Sequence, residues 1–237
     1  MTTRGSAAGL RRTARIDLAA LRTNLTRQLE ADDSFILDAR ADAYGHGAAV
    51  VVPLALDLGV STVRVSPGAA AIAGVKRSSL MTVPSRRALV GEAAYGLDGR
   101  GRPVMTLSGE VVSAKPTEAG VGVSYGYTYR TADDTVLALV ALGYADGVPR
   151  LASNTARVFV GGGVHPLVGR VAMDQFVVDV GSTSPVAVGD EAVLFGDAAA
   201  GHPLALDWAG WTGRSALELT AGIGSRVRRL HVEGALT

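Results

Sequence analysis

The chain of 237 residues contains no cysteine, which excludes a disulfide framework, thiolate metal sites and a thiol nucleophile together. The sequence also lacks a large excess of charges of either sign, because 23 Lys and Arg residues nearly balance 22 Asp and Glu residues. The sequence therefore has no electrostatic footprint for nucleic acid. No stretch approaches the roughly 20 apolar residues of a membrane helix. We expect a soluble globular protein, cytoplasmic by default, without nucleic-acid, membrane or metal partners.

The first half of the chain alternates strand and helix patterns. Residues 1–13 are expected to form a disordered arm. Asp17 stands at an N-cap position before leucines 18, 21 and 25, whose spacing predicts a helix of about three turns. Strand patterns at 34–41, 61–65 and 80–83 then alternate with helical patterns at 48–58 and 67–75. This alternation predicts parallel pairing, and we assign residues 14–103 to an α/β domain.

The second half is typical of an antiparallel β domain. Gly96 to Pro103 contains three glycines and a proline and suits a domain boundary. Strand patterns follow at 104–115, 135–144, 156–160, 164–168, 171–180, 191–195 and 226–232, with helical patterns at 204–211 and 215–219. Residues 104–237 therefore form the predicted β domain, which makes the fold class α/β plus all-β.

Three motifs stand where strands give way to loops. They are ALGYADGVPR at residues 141–150, GRVAMDQ at 169–175 and ADAYGHG at 41–47. Together they closely resemble alanine racemase, a family that uses pyridoxal phosphate (PLP), and the first two occur in the order found in that family. The resemblance implies a (β/α)₈ barrel that holds PLP, a C-terminal β domain, and a head-to-tail dimer in which each β domain offers a tyrosine base to its partner's barrel.

The resemblance also implies roles for single residues. Tyr144 falls on the catalytic tyrosine, and Met173 and Asp174 fall on residues that help to bind the substrate carboxylate. Tyr44 matches a tyrosine that reaches the PLP phosphate. Gly91 lies in a segment resembling the last barrel strand, whose backbone amides face that phosphate.

The sequence departs from the family at the residue on which PLP chemistry depends, because Arg40 stands where the family has its PLP lysine. Arginine stays charged and has no free lone pair with which to form an imine. Ser225 stands where many relatives have a second phosphate-binding tyrosine or a proline. Residues 34–103 number only 70, whereas a complete barrel takes about 250 residues. We therefore expect a reduced relic of the (β/α)₈ barrel, followed by the β domain.

Other candidates carry weaker signals. Arg130 could bind an anion, and it follows Tyr125, Tyr127 and Tyr129, whose alternation predicts one face of a strand, either walling a pocket or packed in a sheet. His46 is either a general base or ligand, or a cap or turn residue at the start of a helix.

Three hypotheses follow from these departures. The chain is a degenerate or accessory homologue that still dimerises, with itself or with a full-length racemase; or it is a PLP-independent enzyme that uses Tyr144, Asp174 and Arg40 on a small anionic substrate; or it is a residual racemase. Bound PLP is implied by the resemblance alone, and we expect no cofactor.

Overall fold

The computed structural model describes residues 9–67, 75–76, 79–82 and 87–234. The strands are β1 (Arg12–Asp17), β2 (Ile36–Asp38), β3 (Val63–Arg64), β4 (Leu80–Met81), β5 (Leu89–Val90), β6 (Met105–Thr117), β7 (Gly122–Val123), β8 (Tyr129–Arg130), β9 (Thr135–Val140), β10 (Arg157–Val160), β11 (Gly163–Val168), β12 (Phe176–Asp179), β13 (Glu191–Phe195) and β14 (Arg228–Val232). The helical segments are α1 (Leu18–Ala31), α2 (Arg40–Tyr44), α3 (Ala48–Asp57), α4 (Glu92–Tyr95), α5 (Ala205–Thr212) and α6 (Ala216–Ala221).

The C-terminal half is built on a sheet of eight strands in the order β13-β10-β11-β12-β9-β6-β1-β14. β13 also pairs with β6, so six of these strands close into a ring. The long strand β6 makes this possible, because its first half pairs with both β1 and β13 while its second half pairs with β9. Closure leaves no free edge within the ring. The predicted antiparallel β domain is confirmed.

The N-terminal half contains a smaller parallel sheet in the order β4-β3-β2-β5. The N-cap prediction for α1 is confirmed, since the Asp17 side chain accepts a hydrogen bond of 2.9 Å from the Ala20 amide. Leu18, Leu21 and Leu25 are buried beneath the helix. The helix predicted over 67–75 lies, except at its ends, outside the described residues.

One strand crosses the predicted boundary between the two halves. β1 precedes α1 in the chain, yet it pairs antiparallel with β6 and parallel with β14 in the large sheet. Ala14 and Ile16 are fully buried there. Residues 12 and 13 belong to this strand, and residues 1–8 of the predicted arm lie outside the described residues. The division into domains at residue 103 stays a prediction.

The predicted strand through Tyr125, Tyr127 and Tyr129 is wrong. Only Tyr129 lies in a strand, and Ser124 and Tyr127 have positive φ angles of 60° and 48°. These angles turn the chain, so Tyr125 and Tyr127 are 81% and 66% exposed instead of sharing a packed face. In the described residues, no helix is both long enough and apolar enough to span a bilayer.

Candidate functional site

The structure brings two of the motifs together in one turn, which we call the Tyr144 turn (residues 143–148). The Tyr144 amide donates to the Ala172 carbonyl at 3.0 Å, and the Ala145 amide donates to the Met173 carbonyl at 3.0 Å. Gly143 permits this approach, because a Cβ at that position would overlap the carbonyl of Met173. Tyr144 and Met173, which were predicted to share a site, therefore lie side by side.

A buried carboxylate anchors the turn from below. Asp146 is fully buried and accepts a hydrogen bond of 2.9 Å from the Gly143 amide. Arg12 and Arg226 approach the same carboxylate, with Nε to oxygen distances of 3.5 and 3.1 Å. Arg226 also pairs with exposed Asp174 at 2.6 Å. Asp174 thus lies beside the turn, held by an arginine that sequence reasoning missed.

The Tyr144 side chain stands between two cavities. It is 41% exposed, and the Arg150 guanidinium carbon lies 5.7 Å from its ring centre. A cavity of about 400 Å³ opens on the side of Arg214 and Glu218, and one of about 230 Å³ opens toward Tyr125. A phenol in this position can hydrogen-bond to a ligand in either cavity.

Tyr125 is a second candidate acid-base group that the sequence pattern concealed. It lines the smaller cavity together with Tyr144 and Met173, and Arg170 lies over its ring at 5.9 Å. Its loop is held in an unfavourable conformation at Ser124, and such backbone strain clusters at functional sites. No periodic pattern in the sequence predicts where Tyr125 lies. Its loop is held by a hydrogen bond of 2.7 Å that Ser124 Oγ donates to the carbonyl of Arg170, 46 residues further along the chain.

Arg40 belongs to a separate polar cluster at the end of β2. Its guanidinium donates to Asp38 through Nε at 2.8 Å and through a terminal nitrogen at 2.6 Å. The Tyr44 hydroxyl donates to the same carboxylate at 2.7 Å. The Asp38 side chain is 6% exposed and that of Arg40 is 40% exposed. We call Asp38, Arg40 and Tyr44 the Arg40 cluster.

The ion pair governs the protonation of the Arg40 cluster. Burial raises the pKa of Asp38, but hydrogen bonds from Arg40 and Tyr44 outweigh burial and leave the pKa below its ordinary value. The hydrogen bond to Asp38 raises the pKa of Arg40. Burial, followed by the bond to Asp38, raises the pKa of Tyr44. The cluster is therefore a closed carboxylate–guanidinium pair with a neutral phenol, and none of its three groups is poised to exchange a proton near pH 7.

The segment after Arg40 is a single left-handed turn, α2, in which residues 41–44 have φ angles between 49° and 56°. Non-glycine residues enter this region at a cost, so the surrounding contacts must maintain it. The Asp42 side chain accepts from the Ala48 amide at 2.7 Å, and the Gly47 amide donates to the Asp42 carbonyl at 2.9 Å. The His46 ring is fully buried, and its Nδ1 lies 2.8 Å from the Ala43 carbonyl. His46 is thus placed as a turn residue.

The structure places the remaining predicted residues apart from one another. Gly91 lies against the Arg40 cluster, where a Cβ would meet Asp38 and Tyr44 at an ordinary 3.8 Å. Ser225 is exposed and lines a cavity of about 450 Å³. Arg130 is exposed and donates to the Gly120 carbonyl at 2.8 Å, across a two-stranded hairpin. The roles predicted for these three residues stay predictions.

The fold and the turn together define a class of protein: a closed antiparallel β domain that presents a tyrosine turn, joined to a parallel α/β sheet. The family profile described as alanine racemase, C-terminal domain, matches residues 104–231. The chain therefore belongs to the alanine racemase family.

Individual relatives agree with this assignment. The alanine racemase of Frankia casuarinae is 49% identical over 140 residues, which are 59% of this chain and 35% of that protein. The alanine racemase of D-cycloserine-producing Streptomyces lavendulae superposes with a TM-score of 0.85 at 24% identity, covering 95% of this chain and 98% of that one. That of Streptomyces coelicolor A3(2) has a TM-score of 0.81 at 28% identity, covering 94% and 98%. The sequence match to the curated relatives spans about a third of their length.

Proposed function

We propose that this chain is an alanine racemase-like protein that has lost the PLP–lysine mechanism and acts as a degenerate or accessory homologue through its β domain. The observation that carries this proposal is the Arg40 cluster. A racemase lysine forms an imine with its cofactor and then moves the α-proton. Arg40 has no free lone pair, and its guanidinium is already paired with Asp38 at 2.6 Å.

The groups of the Arg40 cluster do not fit PLP as an imine-bound cofactor. The chain contains two lysines, Lys76 and Lys115, and among the described residues neither of them hydrogen-bonds to the cluster. The hydroxyl of Tyr44, which the resemblance directs toward a phosphate, instead donates to Asp38 at 2.7 Å. An added phosphate would have to displace that bond and would face the Asp38 carboxylate, which repels it.

The small parallel sheet supports the idea of a reduced barrel. Its described strands are only two or three residues long, yet they are all parallel, as barrel strands are. We propose that β2 to β5 are the relic of a (β/α)₈ barrel whose middle is absent from this chain. The family's polar groups above the cofactor ring would be lost with that middle part.

The cofactor proposal is tested by reduction with borohydride. Purified protein is incubated with PLP, reduced and analysed by mass spectrometry beside a full-length alanine racemase as the positive control. We expect no borohydride-reducible PLP adduct on any lysine of the chain and no racemisation of alanine. Arg40→Lys alone should not restore racemisation, because the other walls of the pocket are missing. PLP reduced onto a lysine of the unmodified chain, or racemisation by the Arg40→Lys variant, would overturn the proposal and favour the residual racemase.

The face around the Tyr144 turn is the proposed dimer interface. Large side chains are exposed there: Met173 is 53%, Leu151 60% and Tyr125 81% exposed, and each lines a cavity that also contains Tyr144. Exposed apolar groups gathered in one patch are typical of an interaction surface. No described hydrogen bond joins the Arg40 cluster directly to the Tyr144 turn within the chain; in the proposed dimer, the Tyr144 turn of one chain faces the Arg40 cluster of its partner.

Light scattering tests the assembly. We expect a homodimer, or a heterodimer when a full-length racemase is added, and we expect Tyr144→Ala to weaken the dimer. Val188→Ala, which truncates a residue that is 64% exposed and lines neither cavity, is the matched control and should leave the dimer intact. A stable monomer at micromolar concentration, in the presence and absence of the racemase, would contradict the accessory role.

A PLP-independent enzyme is the second candidate, and the chemistry around Tyr144 favours it. Tyr144 and Tyr125 share a cavity with two guanidinium groups, Arg150 and Arg170. Phenols beside fixed cations can transfer protons while the cations hold an anionic substrate. Conversion of small hydroxy or amino acids by the protein without PLP, lost in both Tyr144→Phe and Tyr125→Phe, would support this candidate over the accessory role.

A further inference from the structure

We propose that the left-handed turn at residues 41–44 is a conformational interlock, which keeps its form only while strand β14 is docked against it and so makes the Arg40 cluster depend on the β domain. The four residues of the turn are not glycines, yet their φ angles lie between 49° and 56°. Each residue is sterically disfavoured in this region. Contacts from outside the turn must therefore outweigh the strain within it.

Two side chains of β14, Arg229 and His231, contact the turn from the other half of the chain, and we call them the β14 clamp. Arg229 Nε donates to the Gly45 carbonyl at 3.3 Å, and His231 Nε2 lies 2.8 Å from the His46 carbonyl. Because a carbonyl oxygen only accepts, the His231 nitrogen is the donor. The two residues that follow the left-handed turn are therefore tied to a strand 184 and 185 positions further along the chain.

Arg229 is committed to the backbone. Within the described residues its guanidinium forms no ion pair. Besides Gly45, it donates to three carbonyls of the segment that precedes β14, those of Ile223, Gly224 and Val227. Burial lowers the pKa of Arg229, and the carboxylate of Asp42, inside the left-handed turn, opposes that shift. The carbonyl bonds thus compensate for the burial of the cation, and they join the segment before β14 to the turn.

Tyr44 transmits the state of the turn to the Arg40 cluster. It is the last residue of the turn, with a φ angle of 51°, and its hydroxyl donates to Asp38 at 2.7 Å. A change of the turn to right-handed backbone would redirect the Tyr44 side chain and break that hydrogen bond. Asp38, whose side chain is 6% exposed, would then keep only the bonds from Arg40. The docking of β14 and the geometry of the Arg40 cluster are therefore coupled, and such coupling acts in both directions.

Amide hydrogen exchange measured by NMR tests the interlock. The reporters are the amides of Gly45, His46 and Gly47, which donate to carbonyls within the turn. Arg229→Gln should speed exchange at these reporters at least about tenfold, as loss of a charged hydrogen bond does. Arg228→Gln, at the exposed neighbouring position of β14, is the matched control and should leave the reporters unchanged.

Burial, followed by the hydrogen bond to Asp38, raises the pKa of Tyr44. In Arg229→Gln the released hydroxyl should titrate closer to its ordinary pKa, which ultraviolet difference titration against Tyr44→Phe measures. Arg228→Gln should keep the raised pKa. This readout follows the Arg40 cluster itself, whereas a purely structural role of Arg229 within the β domain would leave it unchanged.

Relief of the strain should have the opposite effect. Ala41 is exposed and has a φ angle of 49°, so Ala41→Gly should slow exchange at the reporters at least about twofold, because glycine adopts this conformation without a steric penalty. Ala41→Gly added to Arg229→Gln should restore part of the lost protection. Ala49→Gly, at an exposed position of the right-handed helix α3, is the matched control and should speed exchange in α3.

The outcomes separate an interlock from general loosening of the fold. Circular dichroism checks the folding of each variant, and His231→Ala, which removes a single hydrogen bond of the clamp, takes the place of Arg229→Gln if that variant does not fold. Unchanged exchange at the reporters in the folded clamp variant would overturn the proposal. So would equal acceleration at the Val178 amide in strand β12, or faster exchange at the reporters in Ala41→Gly. None of these outcomes depends on PLP or on a dimer.

Discussion

Replacing Asp146 by asparagine tests how the Tyr144 turn is held. The substitution preserves the size of the side chain and an acceptor for the Gly143 amide, which now donates to Asp146 at 2.9 Å. It removes the negative charge that Arg12 and Arg226 share. The carboxylate is fully buried and Arg12 is only 16% exposed, so the charge of Arg12 would be left short of its partner in a poorly solvated place.

The expected loss of stability in Asp146→Asn follows from how deeply each partner of the carboxylate is buried. Removing one member of a buried ion pair costs about 3–5 kcal/mol. Arg226 is 38% exposed and can recover solvation, and Arg12 keeps a 2.6 Å bond to the Ala141 carbonyl. We therefore expect a loss of stability at or just below the lower end of that range, about 2–3 kcal/mol. Asp174→Asn is the matched control, because it removes an exposed partner of the same Arg226 and should cost about 0–1 kcal/mol.

Urea unfolding measures both variants. Fluorescence of the two tryptophans, Trp208 and Trp211, reports on the β domain, since Trp208 is 1% exposed. With a slope of about 2–3 kcal/mol/M, Asp146→Asn should lower the midpoint by about 1 M and Asp174→Asn by much less. A midpoint for Asp146→Asn equal to or higher than that of Asp174→Asn would refute the assignment of Asp146 as the buried anchor.

Three further predictions concern glycine, tyrosine and histidine. Gly143→Ala should destabilise the fold, because its Cβ would overlap the neighbouring loop. Gly210→Ala, at an open helical position, should stabilise the fold by up to about 1 kcal/mol. A melting temperature for Gly143→Ala above that of Gly210→Ala would contradict this prediction. Burial and the hydrogen bond to Asp179 raise the pKa of Tyr129 to about 12. The contribution of this hydroxyl to stability is therefore complete below pH 10 and is lost as the pH rises through 12. Ultraviolet difference titration of the unmodified protein against Tyr129→Phe should find a titration midpoint near pH 12. Burial lowers the pKa of His46 to about 4. The contribution of the neutral ring to stability is therefore complete above about pH 6.5 and is lost as the pH falls toward 4. An NMR titration midpoint near pH 6.5 for this ring would show that the histidine is solvated.

Local signals in the sequence predicted local structure well. Asp17 and the leucines of α1 combine a capping oxygen with a helical apolar face, and both act within a few residues of chain. β13 runs from Glu191 to Phe195, as its apolar pattern predicted. Only the resemblance to a family led us to expect Tyr144 and Met173 at one site, and their contact itself was not predicted, since no spacing rule joins residues 29 positions apart.

Features that depend on distant contacts were missed. β1 pairs with strands that begin 93 and 216 residues further along the chain, and its own short sequence does not say which sheet it will join. The left-handed turn at residues 41–44 contradicts the ordinary preference of alanine. The anchor of the Tyr144 turn unites Arg12, Asp146 and Arg226, three charges that are far apart in sequence and match no motif.

The segment from Gly222 to Arg229 contacts both the Tyr144 turn and the left-handed turn that follows Arg40. Its Gly224 amide donates to the Asp146 carbonyl at 3.0 Å, and Arg229 donates to the Gly45 carbonyl at 3.3 Å. One short segment therefore supports both the Tyr144 turn and the left-handed turn that follows Arg40. None of these contacts involves the side chain at position 40. The surface around Tyr144 therefore rests on contacts other than those of the Arg40 side chain, as the proposed accessory or PLP-independent role requires.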